Sequence, residues 1–249
     1  MIIIKSQAEI NKIAAACRIV AEVLGNLKSL VTAGVSTSEV EAFAEAQIKA
    51  KKAIPAFKGY RGYPASVCVS LNDQVVHGIP SPKVKLKNGD IVSVDLGVLL
   101  DGFYGDGAIT IPVGEVSPVS AKLIRVTKEA LYAGIGKSVI GNRISDISAA
   151  IQQHVEANGF SVVRAFVGHG IGRSLHEEPQ VPNFGRPGQG SRLKDGMTLA
   201  IEPMVNTGSP DVKILDDGWT AVTADGGLSA HFEHTIVITK KGPKILTKF

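Results

Sequence analysis

Five residues of this 249-residue chain could hold metal ions if the fold brought them together: Asp95, Asp106, His169, Glu202 and Glu233. Asp95 ends the apolar run Ile91-Val92-Ser93-Val94, and Glu202 ends Thr198-Leu199-Ala200-Ile201. Asp106 and Glu233 each stand shortly before an apolar strand. A carboxylate in such surroundings is costly unless it is paired or bound to a cation. Four that converge repel one another, and protons or metal must answer the repulsion. No obvious set of arginines stands beside them. Two divalent ions would balance four carboxylates, with neutral His169 adding an imidazole. Oxygen-rich ligands with one nitrogen and no thiolate suit Mn, Fe, Co or Zn in a hydrolytic site. Two such ions roughly 3.5–4 Å apart lower the pKa of bound water from about 15.7 toward 7. Cys68 is a poor ligand candidate, because it lies in the apolar run Ser66-Val67-Cys68-Val69. On residue types alone a strand-end carboxylate is as readily a turn residue, and the two readings stand level.

The elements that must position these residues can be read from periodicity. Ile10, Ile13, Cys17, Ala21, Leu24 and Leu27 recur at steps of three or four, the stripe of a first helix with Cys17 in the core. Ser38 and Glu41 form a capping-box pattern for a second, with Val40, Phe43, Ala44 and Ile48 facing inward. Pro118 stands near the start of a third, whose stripe is Leu123, Val126 and Ala130. A fourth carries Ile144, Ile147, Ile151 and Val155, with His154 at the edge of its stripe as a core-edge histidine rather than a ligand. Strands follow each helix pair: residues 91–95 and 108–111, then 198–202 and 235–238.

The two halves, about 1–112 and 113–249, can be laid on each other as one catalytic domain. Leu86-Lys87-Asn88-Gly89 is echoed by Leu193-Lys194-Asp195-Gly196 at an offset of 107 (193 − 86). Asp95 falls on Glu202, and Gly34 and Ser38 fall on Gly141 and Ser145, at the same offset. His77-Gly78-Ile79 resembles His169-Gly170-Ile171 only at 92 (169 − 77), which demands compensating insertions. Asp106 and Glu233 are taken to complete the parallel. Duplication implies a pseudo-two-fold α/β fold, a central sheet backed by helices on one face.

Composition narrows the class. A hydrophobic fraction of 44% and a charged fraction of 20% are globular values. A core of this size needs no disulfides, and two cysteines, Cys17 and Cys68, point to a reducing compartment. The start, Met1-Ile2-Ile3-Ile4-Lys5, lacks the basic region and length of a signal peptide, and no long apolar run follows. The expectation is a cytoplasmic monomer with no membrane contact. A net charge of +4 is compatible with weak contact with a ribosome surface, and no block of like charge marks a specific nucleic-acid site.

Several segments together resemble the methionine aminopeptidases. They are Asn72-Asp73-Gln74-Val75-Val76-His77-Gly78-Ile79-Pro80, Asp95-Leu96-Gly97, Gly105-Asp106, Gly168-His169-Gly170-Ile171-Gly172-Arg173, His176-Glu177-Glu178-Pro179, Ile201-Glu202-Pro203 and Phe232-Glu233-His234-Thr235. The similarity runs from the first helix to the last strand. It implies an α/β (α+β) pita-bread fold with a pseudo-two-fold antiparallel sheet. It also implies release of an initiator methionine from nascent polypeptides with a small second residue, by a water activated at a dinuclear centre. Asp106 and Glu233 would bridge two ions, His169 and Glu202 would complete one, and Asp95 would chelate the other. Glu202 would shuttle a proton, and His77 and His176 would contact the substrate, His176 at its carbonyl. Tyr60, Tyr63, Cys68 and Trp219 would form the methionine pocket, where sulfur–aromatic contacts are worth about 0.3–1.5 kcal/mol.

Three departures stand out: Phe57 where a cysteine is frequent, Leu175 where a phenylalanine is common, and His231 for a frequent glutamine. Alternation puts His231 on the face of Glu233 and His234 on the other. Only about thirty residues separate His169 from Glu202, too few for the helical insertion of the type 2 enzymes. Prolidases and aminopeptidases P share the ligands but usually carry a leading domain. Type 1 is the expected kind. A metal-free binding module of the same fold is the rival from another class, and intact ligand positions argue against it.

Overall fold

Four helices start where side chains can satisfy their free N–H groups. α1 (Gln7–Leu30) opens on a capping box in which the Ser6 N–H donates to Glu9 Oε2 at 2.9 Å. α2 (Thr37–Ala50) opens on Ser36, not two residues later as the Ser38/Glu41 pattern suggests. Ser36 N–H donates to Glu39 Oε2 at 2.8 Å and Glu39 N–H donates to Ser36 Oγ at 3.3 Å. Glu41 is drawn elsewhere, accepting the Ser66 N–H at 2.8 Å. α3 (Pro118–Lys137) has Pro118 in its first turn behind the Ser117 cap. α4 (Ile144–Ala157) follows Arg143, whose N–H donates to Asp146 Oδ2 at 2.7 Å.

The computed structural model describes residues 2–248. Its first strands are β1 (Ile54–Pro55), β2 (Cys68–Leu71), β3 (Gln74–Val76), β4 (Ile91–Leu100) and β5 (Phe103–Pro112). After α4 come β6 (Ser161–Val162), β7 (Gly168–Gly170), β8 (Glu177–Val181), β9 (Thr198–Ile201) and β10 (Met204–Asn206). β11 (Val212–Ile214), β12 (Ala221–Thr223), β13 (Ser229–His231), β14 (Glu233–Thr239) and β15 (Gly242–Ile245) complete the chain. The main sheet is ordered β1-β4-β5-β14-β9-β7-β8, with β2 also on β4 and β15 on β14. Its ladders are antiparallel. No helix is long and apolar enough to cross a membrane among the described residues.

Alternation divides the sheet into a helix side and an open side. Val92, Val94, Leu96 and Val98 of β4 and Ile109 and Ile111 of β5 join Val20, Val23, Leu24 and Leu27 of α1 in one buried core. Full burial of such side chains contributes about 1.5–3 kcal/mol each. Gly105 lets α1 approach this closely, since a Cβ there would lie 2.6 Å from the Cys17 backbone nitrogen. Cys17 is itself fully buried, as the helix stripe requires. His154 is a half-buried helix residue with Nε2 3.1 Å from Glu129 Oε2, apart from the five acidic and histidine candidates.

The pseudo-two-fold is visible where β5 meets β14. Thr110 Oγ1 accepts the His231 N–H at 2.9 Å and donates to the His231 carbonyl at 2.8 Å. Thr235 Oγ1 does the same for Asp106, at 3.2 Å and 2.8 Å. Exchanging Thr110 with Thr235 is an offset of 125 (235 − 110), and it carries Asp106 onto His231 (231 − 106). Asp95 pairs with Ala108, and the same exchange carries Ala108 onto Glu233 (233 − 108). The β9–β14 ladder, extended one residue beyond His234↔Ile201, sets Glu202 beside Glu233, so Asp95 does correspond to Glu202. Asp106 and Glu233 are not equivalent, contrary to the sequence expectation, but miss by two residues. His77 and His169 are not equivalent either. His169 pairs with Ala200, whose counterpart is Ser93 (200 − 107), and Ser93 pairs with Ser70. The isolated bridges Ser36↔Lys85 and Arg143↔Arg192 repeat at 107 (143 − 36), the offset of the turns.

The cap geometry gives a first test. Ser36→Ala is expected to cost about 0.5–2 kcal/mol of unfolding free energy and Ser38→Ala less than about 0.5. Urea titration of both variants decides, and the reverse order would restore the sequence-derived cap.

Candidate metal centre

Ladder registers bring the five candidates to the open side. Asp95 lies opposite Ala108 on one side and Cys68 on the other. Asp106 lies opposite Gly97, two residues along β5 from Ala108 and so on the same face. Glu233 is paired with Ala108 across the β5–β14 seam. His169 pairs with Ala200, which pairs with Thr235, again on the face of Glu233. Glu202 follows β9 directly and keeps the alternation of Ala200. His231 shares this side, with Nε2 3.9 Å from Glu202 Oε2. His234 points to the helix side, its Nε2 3.4 Å from Tyr132 OH of α3 and its Nδ1 2.9 Å from Thr247 Oγ1. Alternation assigned both correctly.

Ligand atoms of Asp106, His169 and Glu233 all fall within 4.8 Å of one another. Glu202 adjoins them, its Oε1 3.4 Å from His169 Nε2. His169 Nδ1 lies 2.9 Å from the Gly170 carbonyl, which can only accept, so Nδ1 carries the proton and the Nε2 lone pair faces the carboxylates.

Burial pushes the Asp95 carboxyl up to about 7. Asp106, Glu202 and Glu233 are raised well above the usual carboxylate range, first by burial and then by one another's charge. Among the described residues no lysine or arginine pairs with any of the four. Asp95 Oδ1 and Glu233 Oε1 are buried without a hydrogen-bond partner. The histidines move the opposite way. Burial lowers His169 to about 4 and His176 and His231 to about 3, so their imidazoles are neutral at pH 7. Neutral imidazole, clustered carboxylates and orphaned oxygens fit divalent cations and leave no other partner in view.

A cleft continues from the cluster. Tyr60, Tyr63, Cys68, His77, His176 and Trp219, the expected substrate residues, all line it together with the five acidic and histidine groups. Tyr63 O–H sits between the carbonyls of Gly78 (3.0 Å) and Val67 (3.2 Å), and Trp219 meets its ring edge-on at 5.2 Å. His176 Nδ1 lies 2.8 Å from Tyr60 OH, with the two rings stacked. His77 holds a left-handed backbone, φ +61°, which is strained for a non-glycine residue, and its ring meets Phe166 at 5.3 Å. Phe57 and Leu175, the departures that put pocket shape in question, form part of the wall. Arg61 also lines it and was missed, since nothing in Tyr60-Arg61-Gly62-Tyr63 distinguishes it from a surface arginine.

The raised carboxyls give a pH test. Asp95 has a folded pKa above its unfolded one, so its contribution is fully present below about 4 and is lost as pH rises through about 7. In cation-stripped protein, Asp95→Asn removes that loss. Its melting temperature relative to the parent should therefore climb between pH 4 and 8. With saturating Mn²⁺ the variant should instead melt below the parent. A pH-independent difference would show that Asp95 is not the uncompensated buried acid described here.

Comparison with known proteins agrees with this geometry. The model of metallopeptidase family M24 matches residues 11–240. A methionine aminopeptidase of Clostridium perfringens is 57% identical over 247 residues, covering 99% of both chains. The crystal structure of a Thermotoga maritima methionine aminopeptidase superposes with a TM-score of 0.99 at 49% identity, over the full length of each. The prolidase of Pyrococcus furiosus shares the fold at a TM-score of 0.79 and 23% identity, with 99% of this chain matched to 66% of that one. A family model matched over residues 11–240, high identity over the full length and a matching fold lead to one conclusion: the chain belongs to metallopeptidase family M24, among its bacterial-type methionine aminopeptidases.

Proposed function

We propose that this metallopeptidase removes the N-terminal methionine of nascent proteins and peptides whose second residue is small. Residues 1–249 would act as one catalytic domain with halves 1–112 and 113–249, a cytoplasmic monomer holding two divalent cations, Mn, Fe, Co or Zn. The observation that carries the reading is the junction of two surfaces. A cluster of four carboxylates and an imidazole, with Asp106, His169 and Glu233 buried, opens directly into a pocket walled by Tyr63, Cys68 and Trp219. That pocket suits a thioether side chain. The preference for a small second residue rests on the likeness to the named relatives.

The likeness to the family suggests that Asp106 and Glu233 would be the ligands shared between two ions, that His169 and Glu202 would serve one, and that Asp95 would serve the other. Bound cations would supply a water of lowered pKa and a positive contact for the scissile carbonyl. The chain's own groups do the rest. Glu202, flanked by His169 and His231, takes the proton of the attacking water and hands it to the leaving amine. His176, with Nδ1 2.8 Å from Tyr60 OH, would hold its proton on Nε2, take the Tyr60 O–H at Nδ1 and offer the Nε2 proton to the carbonyl oxygen as charge grows there. His77, its ring against Phe166 and Trp219, lines the same cleft and would border the substrate. The aromatic wall of Tyr60, Tyr63 and Trp219 would shield the methionine side chain from water.

Two experiments test this. After stripping and re-adding single metals, Met-Gly-x peptides should be cleaved and Xaa-Pro peptides should not. Faster release from the Xaa-Pro set would move the chain to the prolidase branch. His176→Ala should lower kcat by roughly 10²–10³, about 2.7–4 kcal/mol, with KM and bound metal little changed. Parental kcat, or loss of an ion, would remove His176 from its assigned part.

A further inference from the structure

A buried ion pair outside the metal centre joins the N-terminal segment to the loop that presents His176. The Lys5 and Glu177 side chains are only 3% and 6% exposed and are hydrogen-bonded, Nζ to Oε2. Lys5 Nζ also donates to the Ile3 carbonyl at 3.1 Å, and Lys5 N–H donates to the Gly196 carbonyl at 2.9 Å, in the turn that leads into β9. Glu177 uses its other oxygen on the loop itself. Oε1 accepts the N–H of Arg173 at 2.8 Å and of Ser174 at 3.2 Å. Gly172 lies flat on the pair, since a Cβ there would stand 2.5 Å from Lys5 Cε and 2.8 Å from Glu177 Oε1.

Stability alone does not explain such a pair. Desolvation of two buried charges offsets most of their attraction, and apolar residues of similar volume commonly serve a fold as well. Apolar residues could not supply directed bonds to two successive amides. Those amides stand two and three residues before His176, whose ring is held against Tyr60 and lies 4.1 Å from the ring of His169. Lys5 lines no part of the cleft.

We propose that Lys5 is a positioning residue for His176. Acting through Glu177, it fixes the loop of residues 172–176 so that the His176 ring stands over the metal centre. This rests on the part given to His176 above. A misplacement on the order of 1 Å can cost about 10²-fold in rate, so a slack loop has a measurable consequence.

The test uses Lys5→Met, which keeps the apolar stem and removes the charge, on cation-loaded enzyme. Histidine-ring NMR of zinc-loaded protein reads position without activity. The His176 resonances should shift while those of His77 and His234 hold. kcat should fall roughly 10- to 100-fold with KM nearly constant. In a His176→Ala background the same substitution should change kcat no further, because the two residues act in series. If Lys5→Met does not fold, Lys5→Met/Glu177→Leu removes the uncompensated charge and carries the same expectations. Unmoved His176 resonances, or an equal loss of kcat with and without His176, would overturn the proposal. Should His176→Ala alone leave kcat intact, the oxyanion assignment fails, and the NMR result still decides whether Lys5 positions the ring.

Discussion

Four carboxylates on one face of a sheet, Asp106 and Glu233 buried and Asp95 and Glu202 largely so, with no lysine or arginine among the described residues to meet them, form the constraint on which the remaining structure depends. Burial raises all four, and neighbouring charge raises Asp106, Glu202 and Glu233 further. Left alone, they would take up protons or force the strands apart. Divalent cations resolve the conflict, and the arrangement then becomes useful, because a charge-dense centre at the floor of a cleft is what peptide hydrolysis needs. The helix side of the sheet carries the opposite requirement. It is apolar and closely packed, with α1 pressed on Gly105, so the strands that hold the acids have little freedom to relax.

Side-chain bonds keep the two halves of that sheet in register where main-chain pairing gives out. Only Glu233 and His234 of β14 pair with β5. Beyond them Thr110 and Thr235 take over, each satisfying both backbone groups of one residue on the opposite half. The residues so held are Asp106 and His231, one an acid of the centre and one a histidine beside Glu202. Symmetry at the level of the backbone has therefore been filled with unlike chemistry. The cleft groups come from less regular chain: His77 after β3 in a strained conformation, His176 from the loop before β8, and Trp219 from the β11–β12 turn. Loops of this kind tolerate change more readily than sheet strands do.

Much of this was legible in the sequence because it depends on short-range patterns. The helix stripes, the β-branched runs and the placing of His231 and His234 on opposite faces follow from periods of 3.6 and 2. The Asp95–Glu202 correspondence follows from a repeated Leu-Lys-x-Gly turn. Errors arose where a pattern had a competing solution. Ser36-x-x-Glu39 and Ser38-x-x-Glu41 both read as capping boxes, and only the fold shows that Glu41 is spent on the Ser66 N–H. The pairing of Asp106 with Glu233 failed by two residues because both are site-facing acids before apolar strands, and alternation cannot separate positions two apart. His77 and His169 share a His-Gly-Ile string without sharing a ladder position. Lys5 and Glu177 were invisible as a pair, since 172 residues separate them and neither type suggests burial.

The account turns on the carboxylates being held as anions by cations, and calorimetric titration of the stripped protein tests that directly. Titrating Mn²⁺ near pH 7 in buffers of differing ionisation enthalpy counts both ions bound and protons released. The expected result is two equivalents per chain with net proton release, because raised carboxyls must give up protons to become ligands. Saturable binding without proton release, or no binding at all, would contradict the claim that these buried acids are organised around metal.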